Sequence, residues 1–314
     1  MLKRLVSFSA VFAVASLALV PNALAIPQCT GSVSQKTLYT GQGVLEAVIS
    51  GGGGKLFVSG TNSGFDDPAS LIRIDRPGAA PKVIANAPAG PGGLAWMGKE
   101  LLWGNGNTLA GGQSGDANPQ ARLLKVNPRS GKYSTWATGL GMANGVTRAR
   151  DGYVFASNDF GLKLDRVTPK GVTSHGWANV ESGNGMVVGK NGKYLFVNQT
   201  FKNPGSIARV EISNPSNVTT WFSAAGLDNQ VPAFDGLARD GNNNLYAAAW
   251  AAGEVWKITP DRQACSVASG IPQISNLAFG GGKSGFNRNT LYAVGFGGQI
   301  VQIKGALSAT VPAA

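Results

Sequence analysis

The 314-residue chain is 43% hydrophobic and 14% charged, carries 45 glycines, and has 27 Lys+Arg against 16 Asp+Glu for a formal net charge of +11. Its basic residues are scattered singly, as at Lys55, Arg73, Lys82, Arg122, Lys163 and Lys257, which excludes the gathered cationic face with aromatic platforms that nucleic acid requires. A single histidine, His175, excludes a His-rich zinc site and argues against a Ser-His-Asp triad.

Met1–Arg4 is a short basic start, an apolar run covers Leu5–Val20, and Ala23-Leu24-Ala25 supplies the small-x-small pattern of a signal-peptidase site. The sequence therefore predicts a cleavable signal peptide over 1–25 and a secreted or periplasmic mature chain. The apolar run falls short of the roughly 20 residues of a membrane span, and no later segment comes close. Loss of Lys3 and Arg4 leaves a mature charge of about +9, read as a solvated basic surface. No linker or low-complexity tract divides residues 26–314, which read as a single domain of short strands and tight turns.

From Glu46 onward a pattern recurs: an anchor residue, commonly followed by Gly and an apolar residue, then a Gly- or Asn-rich turn, then a strand. Gly51–Gly54 is the first such turn; it lacks the spacing of a phosphate-binding loop. Asn144-Gly145-Val146, Asn184-Gly185-Met186 and Asp235-Gly236-Leu237 are the clearest copies, with weaker ones at Glu46, Gly92 and Asn276. Their separations of 46, 52, 40, 51 and 41 residues match the roughly 40–50 expected of propeller blades. Each repeat adds a second pair of strand-like runs, such as Ser70–Asp75, Ala121–Asn127 and Gly253–Ile258. The predicted fold is all-β: a closed six-bladed β-propeller with four antiparallel strands per blade. A β-sandwich leaves the repeated tripeptide unexplained.

Each anchor begins the innermost strand of its blade, so anchors from different blades converge at one channel mouth. Glu46, Asn144, Asn184 and Asp235 then present oxygen donors suited to a hard divalent cation, Ca²⁺ first, with Mg²⁺, Mn²⁺ or Zn²⁺ as other candidates. Taken singly, Asn-Gly and Asp-Gly also read as turn pairs. His175 falls in an outer strand with a surface role. The seven tryptophans spread over the repeats as packing residues, except Trp250, which follows an inner strand and can reach the mouth. The two cysteines, Cys29 and Cys265, are expected to form a disulfide in an oxidising compartment, tying the chain's start to its last quarter.

Pro232–Ala238 with Gly241–Ala248, the run Trp250–Val255, Asn276–Gly281 with Leu291–Val294, and Ser182–Met186 together resemble the senescence marker protein / gluconolactonase / luciferin-regenerating enzyme-like family. That resemblance implies a divalent metal held by Glu46, Asn184 and Asp235, with Asp235 as the base for water attack and Asn144 facing the substrate. It implies metal-assisted opening of a lactone. Ala47-Val48 stands where the family usually has Gly-Pro, and Met142 where sugar-lactone members often carry arginine, which points to a less polar lactone or ester. The expected partner is that small molecule, with no nucleic acid and an expected monomer. The competing reading is a non-catalytic propeller whose structural metal supports binding of a small ligand or protein.

Overall fold

The computed structural model describes residues 26–227 and 231–313; the predicted signal peptide lies outside the described residues. These form six four-stranded antiparallel sheets. The first blade is β2 (Val44–Gly51), β3 (Lys55–Thr61), β4 (Pro68–Ile74) and β5 (Lys82–Ala89). The second is β6 (Pro91–Met97), β7 (Glu100–Asn105), β8 (Ala121–Val126) and β9 (Tyr133–Leu140), with a short helix α1 (Leu109–Gly115) between β7 and β8. The third is β10 (Val146–Arg148), β11 (Val154–Ser157), β12 (Lys163–Val167) and β13 (Thr173–Asn179). The fourth is β14 (Gly183–Val188), β15 (Tyr194–Gln199), β16 (Ser206–Glu211) and β17 (Asn214–Ser223). The fifth is β18 (Phe234–Arg239), β19 (Leu245–Ala249), β20 (Glu254–Ile258) and β21 (Ala264–Ala268).

The sixth blade closes the ring. Its inner strands are β22 (Ile274–Phe279), β23 (Leu291–Gly295) and β24 (Ile300–Lys304), and its outer strand is β1 (Ser34–Tyr39), paired in register Ser34↔Lys304. The predicted Cys29–Cys265 disulfide is present and joins the segment before β1 to β21 of the fifth blade. A two-stranded bridge between Thr30 and Thr310 adds to the seam.

The core lies between neighbouring blades, because a lone four-stranded sheet leaves both faces wet. Phe57 and Leu71 of the first blade pack with Leu94 and Trp103 of the second, and Tyr246 of the fifth packs with Leu277 and Leu291 of the sixth. Trp103 and Trp256 are fully buried, as the spread of tryptophans over the repeats requires. The predicted turn at Gly51–Gly54 is the β2–β3 connection.

The repeated glycine is explained by close approach as well as by turn chemistry. A Cβ on Gly145 would stand 2.3 Å from the carbonyl oxygen of Asn184, one on Gly185 would stand 2.4 Å from that of Asp235, and one on Gly236 would stand 2.6 Å from the Cα of Asn276. Each glycine thus admits the next blade's anchor backbone, and none of the three has positive φ. The pairing register slips at the same places: between Leu45 and Ala47, between Gly183 and Met186, and between Phe234 and Leu237. Such bulges leave a residue out of the ladder and re-aim its side chain. Here they free Glu46, Asn184 and Asp235 for the channel.

Candidate active site

Antiparallel pairing puts the start of each inner strand beside the end of the second strand, as in Phe234↔Ala249 and Val146↔Ala156. One face of the ring therefore gathers the anchors with the loops that follow β3, β7, β11, β15, β19 and β23. On this face Glu46, Asn144, Asn184 and Asp235 are all buried, and they are joined by Asp159 from the β11–β12 loop. The Asn144 side chain donates to Asp159 and that of Asn184 to Asp235, while Glu46 is close enough to both aspartates to feel their charge. Glu46, Asn144, Asn184 and Asp235 thus lie near one another in the structure, with Asp159 beside them as a third carboxylate.

Backbone contacts between blades hold the anchors in place. Ser157 Oγ donates to the Asn184 carbonyl at 2.7 Å and accepts from Gly145 N at 2.8 Å. Asn198 Nδ2 donates to the carbonyls of Asp235 (2.8 Å) and Gly236 (3.0 Å). Asn184 Nδ2 donates to Thr200 Oγ1 at 3.0 Å, and that hydroxyl donates to Phe234 O at 3.0 Å. Ser275 Oγ donates to Leu45 O across the ring seam at 2.6 Å. These second-strand and loop polar residues were not read as site residues. Their signal was a polar residue inside an otherwise apolar strand, as in Tyr194-Leu195-Phe196-Val197-Asn198.

Burial dominates the electrostatics. Loss of water pushes the Glu46 and Asp235 carboxyls well above the usual carboxylate range, and their mutual repulsion and that of Asp159 push the same way. Burial raises Asp159 to about 7 against its hydrogen bonds. Glu46 Oε2 and Asp159 Oδ1 are buried without a hydrogen-bond partner, a costly state unless a proton or cation meets them. The oxygen-only, anionic donor set suits a hard divalent cation. Among the described residues no three His, Cys, Asp or Glu side chains form such a cluster alone; the further oxygen donors at the site are the amides of Asn144 and Asn184.

Trp250 lies in the β19–β20 loop on the same face; its ring meets Phe296 edge-on at 6.0 Å, and its indole Nε1 is buried without a partner. Met142 is fully buried and would touch any side chain added at Gly112 of α1. His175 is structural: Nδ1 lies 2.7 Å from Asp165 Oδ1 and Nε2 lies 3.2 Å from the Asp116 carbonyl, joining the third blade to the loop after α1.

Residues 157–294 match the family described as the SMP-30/Gluconolactonase/LRE-like region. The matched stretch holds Asp159, Asn184, Asp235 and Trp250, whereas Glu46 and Asn144 lie before it. No curated protein matches the chain significantly. Among solved structures, a gluconolactonase from Xanthomonas campestris superposes with a TM-score of 0.66 at 16% identity, covering 91% of this chain and 96% of that one. A luciferin-regenerating enzyme gives 0.64 at 13% identity over 90% and 98% of the two chains. Virginiamycin B lyase from Staphylococcus aureus gives 0.56 at 12% identity over 87% and 99%. At these identities the superpositions establish the shared propeller fold, on which hydrolase and lyase chemistry both occur.

Proposed function

We propose that the protein is a hydrolase that opens a weakly polar lactone or related ester at the anchor face of its channel. The observation that carries this reading is the buried set Glu46, Asp159 and Asp235, paired with Asn144 and Asn184 and retaining unpartnered carboxylate oxygens. Glu46, Asn184 and Asp235 would hold a divalent cation, Ca²⁺ before Mg²⁺, Mn²⁺ or Zn²⁺, which when bound supplies Lewis-acid polarisation of the ester carbonyl.

The chain's own residues do the remainder. Asp235 takes a proton from water as its oxygen bonds to the carbonyl carbon, then returns it to the ring oxygen as the acyl–oxygen bond breaks, giving a hydroxy acid. Asn184 holds the Asp235 carboxylate in place, and Asn144 holds Asp159 while its amide faces the substrate. Second-to-third-strand loops of five blades bring Phe65, Phe160, Phe201, Trp250 and Phe296 to this face, and Phe201 is 59% exposed. A collar of that kind suits an apolar ring or chain and offers little to a polyhydroxylated one. The Cys29–Cys265 disulfide supports action outside the cytoplasm, and among the described residues no helix is long and apolar enough to cross a membrane.

The test is pH-stat hydrolysis of aliphatic, aromatic and sugar lactones with added Ca²⁺ or Mn²⁺ or with chelator. Wild type is expected to turn over alkyl lactones only with metal, and Asp235→Asn to lose at least a hundredfold in kcat, the low end of what general base catalysis contributes. Absence of turnover with every metal, while an ion still binds, would leave the ligand-binding propeller.

A further inference from the structure

Along the chain the basic residues fall singly, but the closed ring gathers them on one face. The turns between first and second strands, and those between third and fourth strands, all emerge opposite the anchors. Every blade exposes a cation on this rear face: Lys82, Lys132, Lys170, Lys190, Arg262 and Lys283 in blade order. None of these is in a salt bridge among the described residues. The exposed carboxylates among the described residues of this face are Asp151 and Asp261. Its half-buried ones are already neutralised, Asp75 by Lys55 and Arg73, Glu100 by Lys125 and Glu211 by Lys193. At its centre Arg148, Arg150, Lys190 and Arg239 border a hollow of ≈ 340 Å³ with no carboxylate in its lining.

The anchor face has the opposite sign. Its connections carry Asp66, Asp67, Asp116 and Glu181. Among the described residues the one Lys or Arg in those connections, Lys202, is paired with Glu181. Charge divided in this way turns the rear face toward an anionic partner before contact.

Three features select the partner. The cations ring the whole face and follow no single groove, which fits a plane of negative charge better than a thread. Tyr153 and Tyr194, at the rear ends of their strands, lie under the guanidinium groups of Arg166 at 4.8 Å and Arg209 at 4.7 Å, so these rings are not open platforms for stacked bases. The rim of three consecutive blades also sets an exposed apolar side chain beside a lysine: Val83 after Lys82, Tyr133 after Lys132, and Val172, 63% exposed, two residues past Lys170. Cations interleaved with apolar and tyrosine side chains are the composition of a surface that sits among lipid headgroups.

We propose that the rear face docks on an anionic lipid bilayer, the rim of the first three blades entering the headgroup layer and the anchor face turned away. This surface is separate from the candidate active site and stands whether or not the hydrolase reading does.

Co-sedimentation of the mature protein with vesicles tests it. Phosphatidylcholine vesicles containing phosphatidylglycerol are expected to bind it at least tenfold more tightly than phosphatidylcholine alone, and more weakly as salt rises. Lys132→Glu with Lys170→Glu, both exposed, is expected to weaken that binding tenfold or more, since each cation near such a surface contributes about a factor of five. Lys202→Glu, on the anchor face, is expected to leave it unchanged. Val172→Ser is expected to weaken it severalfold without changing binding to dextran sulfate. Dextran sulfate and duplex DNA, at equal anion concentration, are expected to bind more weakly than the vesicles. Tighter binding of either would make the partner a soluble polyanion. Equal binding of the two vesicle types, or Lys202→Glu as harmful as the rear reversal, would remove the rear cations' part, and indifference to Val172→Ser would take the rim out of the headgroups. Any of these results overturns the proposal.

Discussion

A carboxyl group held away from water keeps its proton to higher pH, and Asp159 does so to about 7. Between about pH 4 and 7 the folded protein therefore holds a proton at this site that the unfolded chain has released, so stability falls as pH rises through that window. Asp159→Asn carries no such titration. In metal-free buffer its unfolding free energy is expected to gain on wild type with rising pH, by up to about 4 kcal/mol at pH 8, as read by denaturant titration at several pH values. A constant difference across the range would mean that Asp159 is ionised in the fold throughout. Collar residues act on substrate instead: Phe201→Ser is expected to raise KM for a long-chain lactone several-fold with kcat little changed, as loss of about one to two buried methylenes does. Glu46, Asn144, Asn184 and Asp235 were legible because repetition at blade period singles them out. Asp159 was not, since Ser157-Asn158-Asp159-Phe160 reads as ordinary turn chemistry and only closure of the ring turns it inward.

At the level of strands and loops, the glycine after each anchor makes room for the neighbouring blade. Gly185→Ala pushes a methyl group into backbone that cannot rotate away, and is expected to cost about 1–3 kcal/mol or more. Gly241→Ala is the control, because a Cβ there meets nothing within 4 Å; chemical denaturation of both should separate them clearly. Equal stability would mean that the inner strands can shift apart. The inner strands were readable from the repeated tripeptide and the second pairs from their alternating runs. Two elements were not. β1 is a mostly exposed strand that gains its place only by pairing with β24 at the other end of the chain. Helix α1, Leu-Ala-Gly-Gly-Gln-Ser-Gly, contains three poor helix formers and is set by Thr108, whose side chain accepts from Gly111 N at 3.1 Å.

The whole ring is closed where its two ends meet. The Cys29–Cys265 bridge spans 236 residues, for which loop-closure entropy gives a ceiling of about 5 kcal/mol. Cys29→Ser with Cys265→Ser is expected to unfold at lower denaturant with the same blades intact, and reductant to bring wild type to the same midpoint. Coincident midpoints before reduction would mean that β1 and the Thr30–Thr310 bridge secure the seam unaided. That bridge has a second consequence. With residues 30 and 310 side by side, the point at which the polypeptide is interrupted is separable from the architecture. A circularly permuted gene that links these positions and begins instead at the exposed β18–β19 turn should yield the same propeller, its seam moved to another blade.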